Sequence, residues 1–233
     1  MKDLLQGVVQ AFGLIFSFDP ALYEIIWFSL YVSGVALLFS TLVGIPLGAF
    51  LGLKRFWGRR LVTALLYTGM GFPPVVVGLF VYLMLSRSGP LGQLGWLFTP
   101  RAIILAQVII SFPLVAGFTM AAVMGVDPNL RRQLVSLGAT DWQATLATLA
   151  EARVGVVVAI IAGFGSVISE VGAVILVGGN IEGKTRTLTT AIVLETAKGN
   201  FDLAMALGAV LLLISFFINL AMIRLQGKDF SSA

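Results

Sequence analysis

The sequence has no cysteine and no histidine, and only 11% of its residues are charged. Without cysteine there is no disulfide framework and no thiolate metal site. Without histidine the commonest catalytic base and metal ligand is missing. The shortage of charge excludes more. Soluble domains carry about a quarter charged residues, whereas this chain of 233 residues is 58% hydrophobic, with a mean hydropathy of +1.01. Water cannot accommodate that much apolar surface, so the chain falls in the polytopic membrane class, read as all-α. The net charge of +4 is small, and no basic tract interleaved with aromatics points to nucleic acid.

Read in order, the chain is one transmembrane domain, 1–233, with five expected spans at 25–53, 61–85, 102–124, 154–177 and 203–223. Residues 4–18 form a shorter apolar run closed by Asp19-Pro20. At 1.5 Å per residue it falls short of a hydrocarbon core of roughly 30 Å, which favours an interfacial helix, with an extra span as the competitor. The first span carries Gly44, Gly48 and Gly52, and the fourth carries Gly155, Ala159 and Gly163. Such small-residue stripes admit a closely packed helix, either from a second copy or from the same chain. Pro73-Pro74 interrupts the second span and removes two backbone donors, a pattern that marks transport pathways or, more plainly, a passive kink. An external loop, 180–202, contains a short apolar stretch around Leu188, Ile192 and Val193 that reads as a helix.

Residues 127–153 are a polar island in this apolar ground. Asp127-Pro128 supplies an N-cap and a first-turn proline. Leu130, Leu134 and Leu137 share an apolar face, and Gly138 is placed to end the helix in a left-handed conformation. Thr140 followed by Gln143 is a capping box for a second helix, beside the large amphipathic Trp142. Two capped amphipathic helices outside the bilayer are more structure than a solvated loop needs, and they point to a docked partner. Lysine and arginine fix the orientation. Lys54, Arg55, Arg59 and Arg60 crowd the first loop, which puts that loop, the island and the C-terminus in the cytoplasm and the N-terminus outside.

Glu170 lies within the fourth span, where a carboxylate costs about 2.5–3.5 kcal/mol and must face protein or water. It reads as a pathway residue or an inter-helix brace. Ser166 and Ser169 are better suited to contact an anion, since hydroxyls donate without carrying charge. Gly178 with Gly183-Lys184-Thr185 matches the phosphate-loop spacing literally. It is rejected, because no soluble segment is long enough to form a nucleotide-binding domain and the loop falls on the external side.

These features resemble the inner-membrane permease subunit of binding-protein-dependent ABC importers. In that family a cytoplasmic Glu-Ala-Ala, three residues, Gly loop forms the coupling helices. Leu137-Gly138-Ala139-Thr140 with Trp142 is similar to its Leu-Gly-Ala-Ser/Thr turn, while Arg132-Gln133-Leu134 occupy the Glu-Ala-Ala positions. Phe72-Pro73-Pro74-Val75-Val76-Val77-Gly78 resembles the molybdate-type permeases. Ile168-Ser169-Glu170-Val171-Gly172-Ala173, Gly178-Gly179-Asn180-Ile181, Thr185-Arg186-Thr187-Leu188 and Glu195-Thr196 resemble the tungstate branch.

The resemblance implies a type I importer permease of MetI-like fold in a prokaryotic inner membrane, carrying tungstate or molybdate. Its partners would be two copies of a cytoplasmic ABC ATPase and an external oxyanion-binding protein, with ATP and Mg on the ATPase. No cofactor or metal is expected on this chain. Coupling is expected at Arg131, Arg132, Leu134, Leu137, Gly138, Ala139, Thr140, Asp141 and Trp142. The pathway or gate is expected at Pro73, Pro74, Ser166, Ser169, Glu170, Gly178, Gly179 and Asn180. A homodimer is expected because five spans enclose little on their own and the glycine stripes offer a packing surface. The alternatives are a permease for another small anion, a stand-alone secondary transporter and a membrane-embedded enzyme. The second would show an internal repeat, and none is visible. The third lacks the usual catalytic pairs.

Overall fold

The computed structural model describes residues 20–225 together with Gly13. The expected surface helix at 4–18, Gly13 apart, and the tail cation Lys228 lie outside the described residues. The helices in chain order are α1 (Pro20–Leu53), α2 (Arg59–Met70), α3 (Pro74–Leu85), α4 (Pro100–Met124) and α5 (Pro128–Ser136). They continue with α6 (Asp141–Glu151), α7 (Arg153–Ile168), α8 (Gly172–Gly178), α9 (Leu188–Ala197) and α10 (Phe201–Leu225).

The bundle is built around α4. Ala102, Ala106, Ala116, Val115 and Met120 along it are essentially inaccessible. Small residues on its neighbours explain how closely they approach. On α1, a methyl group at Gly44 would sit 3.1 Å from Val115 Cγ1, and one at Gly48 would strike the Ala116 carbonyl. On α7, Gly155 meets Ala122, and a methyl at Gly163 would lie 2.8 Å from Val115 Cγ2. Both glycine stripes therefore pack against α4 of the same chain. The expectation that they offer a dimer surface is corrected, because backbone-to-backbone contact leaves them no free face.

By length and composition α1, α4 and α10 can each cross a membrane, and two bent helix pairs bring the number to as many as five. The stretch 61–85, expected as a span interrupted by its Gly/Pro sequence, consists of two 12-residue helices, α2 and α3, meeting at 100°. Each is about 18 Å long, short of the hydrocarbon core. The sequence Gly71-Phe72-Pro73-Pro74 causes the turn. Proline holds the preceding residue out of the α region, and Pro73 is extended at φ −61°, ψ 121°, with Pro74 opening α3. Gly71 N and Phe72 N close the end of α2 on Thr68 O and Gly69 O, at 3.1 and 3.3 Å.

The expected fourth span, 154–177, is likewise interrupted. It divides at Ser169 to Val171 into α7, of 16 residues, and α8, of seven. A 70° bend at Ala152 separates α7 from α6. The short helix expected near Leu188 is α9, opened by a Thr187–Thr190 capping box and tied to α1 by Leu188 N donating to Ser29 Oγ at 2.8 Å. Much apolar side chain faces outward, including Trp27 and Leu42 on α1, Val76 and Phe80 on α3, and Leu212 and Phe217 on α10. That inverted surface suits a lipid environment or a further membrane helix.

Candidate functional site

The polar island folds as its local grammar dictates. Asp127 caps α5, its carboxylate accepting from Asn129 N at 2.9 Å, and Pro128 fills the first turn. At the other end Ala139 N donates to Leu134 O and Gly138 N to Val135 O, both at 3.0 Å. This is a Schellman closure, and it needs the left-handed φ of 91° that Gly138 adopts. Thr140 then opens α6 through the expected capping box with Gln143.

The expected apolar face is only partly correct. Leu130 and Leu134 are half-buried against the chain, but Leu137, in the turn rather than the helix, is 85% exposed. Trp142, on the far side of Gly138, is 69% exposed. Both face outward, one on each side of the turn in sequence, with exposed Arg132 nearby in sequence. Arg131 and Asp141 pair with each other on the surface of the loop, where the Asp141 side chain is 67% exposed. Asp141 accepts from Arg131 Nη2 and from Lys54 Nζ, each at 2.7 Å. The Lys54 hydrogen bond and charge, with the Arg131 charge, hold the Asp141 carboxyl below its ordinary range. Sequence reasoning missed Lys54, whose partner lies 87 residues away.

The second group of expected residues lies where the two broken helices meet. α3 and α8 pack through Gly78, where a methyl would sit 2.5 Å from Ala173 Cα, and through Gly172, where it would sit 2.5 Å from Val75 Cγ2. Pro73 and Pro74 aim α3 into this contact. Glu170 is buried at the break. Its Oε1 accepts from Ala173 N at 2.9 Å, and its carbonyl accepts from Thr189 Oγ1 at 2.9 Å. The side-chain bond is a local one onto the first turn of α8, and the link to α9 is made by the Glu170 backbone. Ser169 is exposed, but its hydroxyl donates to Gly165 O at 2.6 Å, so in this arrangement it offers an anion lone pairs rather than a proton. Ser166 is half-buried beside it in sequence.

Gly178, Gly179 and Asn180 form a packed corner apart from those serines. Gly178 abuts Ile103, and Gly179, at φ 75°, lies against the Phe98 ring. Asn180 Nδ2 donates to Thr190 O at 3.3 Å. In the same turn Thr185 Oγ1 donates to Gly178 O at 2.6 Å and accepts from Ile181 N at 2.9 Å. The hydroxyl that a phosphate loop would present to a metal is thus fully engaged, and no strand precedes it among the described residues.

A buried polar column, not anticipated from the sequence, supports the break. Ser40 and Ser111 hydroxyls lie 2.6 Å apart, and Ser111 donates to Gln107 O at 2.8 Å. Gln107, 2% exposed, donates from Nε2 to Val167 O at 3.0 Å. It thus supplies a donor to a carbonyl at the point where α7 stops, as interrupted membrane helices require. A glutamine in mid-span was the signal available.

A bundle of apolar helices, two of them broken and packed on each other, with a capped two-helix loop at one end, defines a membrane transport subunit. The family described as binding-protein-dependent transport system inner membrane component matches residues 44–228, and the chain belongs to it. It is 41% identical over 226 residues to the tungstate uptake system permease protein TupB of Peptoclostridium acidaminophilum, covering 97% of this chain and 99% of that one. A probable anion ABC transporter permease protein of Haloferax volcanii is 46% identical over 196 residues, covering 82% and 84%. The molybdenum transport system permease protein ModB of Escherichia coli is 32% identical over 213 residues, covering 84% and 93%.

Among solved structures, a chain of the inward-facing MetNI methionine ABC transporter superposes with a TM-score of 0.74 at 20% identity, covering 88% of this chain and 94% of that one. A chain of a bacterial ABC transporter involved in the import of the acidic polysaccharide alginate gives a TM-score of 0.70 at 25% identity, covering 94% and 84%. The protein is the transmembrane subunit of an ABC importer, an inner-membrane component with the type I permease fold. It is a transport component rather than an enzyme.

Proposed function

We propose that the chain forms the translocation pathway of a tungstate or molybdate importer and couples it to a separate ATPase through α5 and α6. The observation that carries the coupling is the tip of that loop. Leu137 and Trp142, 85% and 69% exposed, are held on either side of a Schellman turn and a capping box. A rigid apolar pair of this kind is an anchor for a partner's pocket. Lys54, at the end of α1, reaches Asp141 and ties α6 to the bundle, so a push on the loop reaches the helices directly. The cationic first loop lies at the same end as the island, which supports a cytoplasmic loop and C-terminus and an external N-terminus.

The names of the tungstate and molybdenum permeases support a tetrahedral oxyanion as cargo. The meeting of α3 and α8, with Ser166 and Ser169 at the break, is the proposed gate. Two copies of the chain enclose the pathway, with the exposed apolar flanks of α3 or α10 replacing the glycine stripes as dimer surfaces. Each copy docks one ATPase subunit, which holds ATP and Mg, and an external binding protein delivers the anion.

The test is ATP hydrolysis in liposomes containing this chain, its ATPase and its binding protein, titrated with tungstate, molybdate and sulfate. Stimulation by tungstate or molybdate is expected. Stimulation by sulfate alone overturns the cargo, and failure of any ATPase to co-purify overturns the coupling.

A further inference from the structure

One concave feature at the docking end has no role in the account above. It is a cavity of about 760 Å³ between the ends of α1 and α4 and the face of α5. Four arginines from two separate segments line it, Arg55 and Arg59 on one side and Arg131 and Arg132 on the other, against two aspartates. Both aspartates are already engaged. Asp127 caps α5, and Asp141 is held by Lys54 and Arg131. Positive charge is therefore in excess. Arg59 is fixed in place by donating from Nε to Leu51 O at 2.7 Å and from Nη2 to Met124 Sδ at 3.7 Å, which leaves Nη1 available. Arg131 Nε is a buried donor with no acceptor.

From this geometry we propose that the cavity binds a tetrahedral oxyanion group of the phosphate type, bridging Arg55 and Arg59 to Arg131 and Arg132. Guanidinium forks match such oxygens in pairs, and charge-assisted bonds of this kind are the strong ones. Here the arginines converge on a hollow walled by Val123 and Val126. Two sources supply this chemistry. One is a free oxyanion in the cytoplasm, including the cargo after release. The other is the phosphate of an anionic lipid, because Trp57, 99% exposed beside Arg55 and Arg59 in the chain, marks headgroup depth.

In either case the bound group ties the first loop to α5 and restrains the docking helices. That consequence rests on the coupling role proposed above, whereas binding itself does not.

The experiment uses the full chain in phosphatidylcholine nanodiscs, without ATPase. Inorganic phosphate and molybdate are titrated by equilibrium dialysis, and thermal stability is read with and without phosphatidylglycerol. R55Q alters an exposed side chain and R55Q/R59Q removes one wall of charge, with circular dichroism verifying that both fold. Saturable binding that weakens about tenfold in R55Q and on the order of a hundredfold in the double variant is expected for a free oxyanion. Stabilisation by phosphatidylglycerol alone, lost in both variants, assigns the site to lipid. Binding or stabilisation that is unchanged in both variants, or absent with all three probes, overturns the proposal. In the assembled transporter an occupied site lowers ATP turnover. If binding is seen and turnover does not change, the restraint on the docking helices fails while the site and the coupling role stand.

Discussion

The docking loop and the α3–α8 corner are both expected to work in transport, yet they are held together by opposite means. Every stop and start in the loop is local. Asp127 caps two residues ahead, the Gly138 closure lies within six residues, and Thr140 answers Gln143 three residues on. The corner is non-local. Gly78 fits only against Ala173, Thr189 braces the Glu170 carbonyl, and Gln107 reaches Val167 across 60 residues. A loop whose helices are capped locally keeps its shape by itself, and the Lys54–Asp141 bridge then ties that shape to the bundle. A corner stabilised by distant contacts changes whenever the bundle changes, as a gate must.

The sharpest way to break this contrast is Gly78→Leu. Its side chain would overlap the α8 backbone, and a loss of about 3 kcal/mol in stability is expected, together with loss of transport, read by thermal unfolding and uptake. Unchanged unfolding would mean that α3 and α8 do not need their contact. Next in size is the double substitution Leu137→Ala with Trp142→Ala. Stability should move by no more than about 0.5 kcal/mol, while ATPase binding weakens roughly thirtyfold, as for loss of an aromatic anchor. Co-purification at graded salt measures it, and retention of the ATPase would deny the tip its role.

Glu170 sharpens the comparison from the side of the corner. Glu170→Ala removes the acceptor for Ala173 N and should destabilise by about 1–2 kcal/mol, whereas Glu170→Gln, which keeps an acceptor, stays near wild type in both stability and uptake. If Gln fails as badly as Ala, the negative charge rather than the bond is needed. Gln107→Leu should lower stability by about 1 kcal/mol, since Val167 O loses a donor while an unpartnered Oε1 is also removed.

The smallest effect is expected at Asp141, on the exposed loop. Its carboxyl is depressed first by the hydrogen bond and charge of Lys54, then by Arg131. A depressed folded-state pKa means that the contribution is present above the ordinary Asp value and fades as pH falls through the lowered one. Lys54→Met should shift the Asp141 titration upward in carboxyl NMR, and the variant and wild type should converge in acid and in high salt. No upward shift would detach the loop from α1.

How much could be read in advance follows the same division. Asp127-Pro128, Gly138 and Thr140-x-x-Gln143 determined α5 and α6, because caps and closures act over a few residues. The apolar stretches determined membrane insertion, and the literal phosphate-loop spacing falls in a turn whose Thr185 hydroxyl bonds within the chain. What remained hidden was direction. Pro73-Pro74 announces a break but not its 100° angle, and Leu137 has helical spacing although it sits in the turn.

The glycine stripes make the point most plainly. Gly44, Gly48, Gly155 and Gly163 by themselves specify only that something approaches closely. That the neighbour is α4 of the same chain, and that Lys54 finds Asp141 while Gln107 finds Val167, depends on which helices become adjacent. Local hydrogen bonding and hydropathy are properties of short segments, so the sequence alone determined the class of protein and the two capped helices of its polar loop. Packing partners are set by the simultaneous fit of all the helices, and only the tertiary structure decided them.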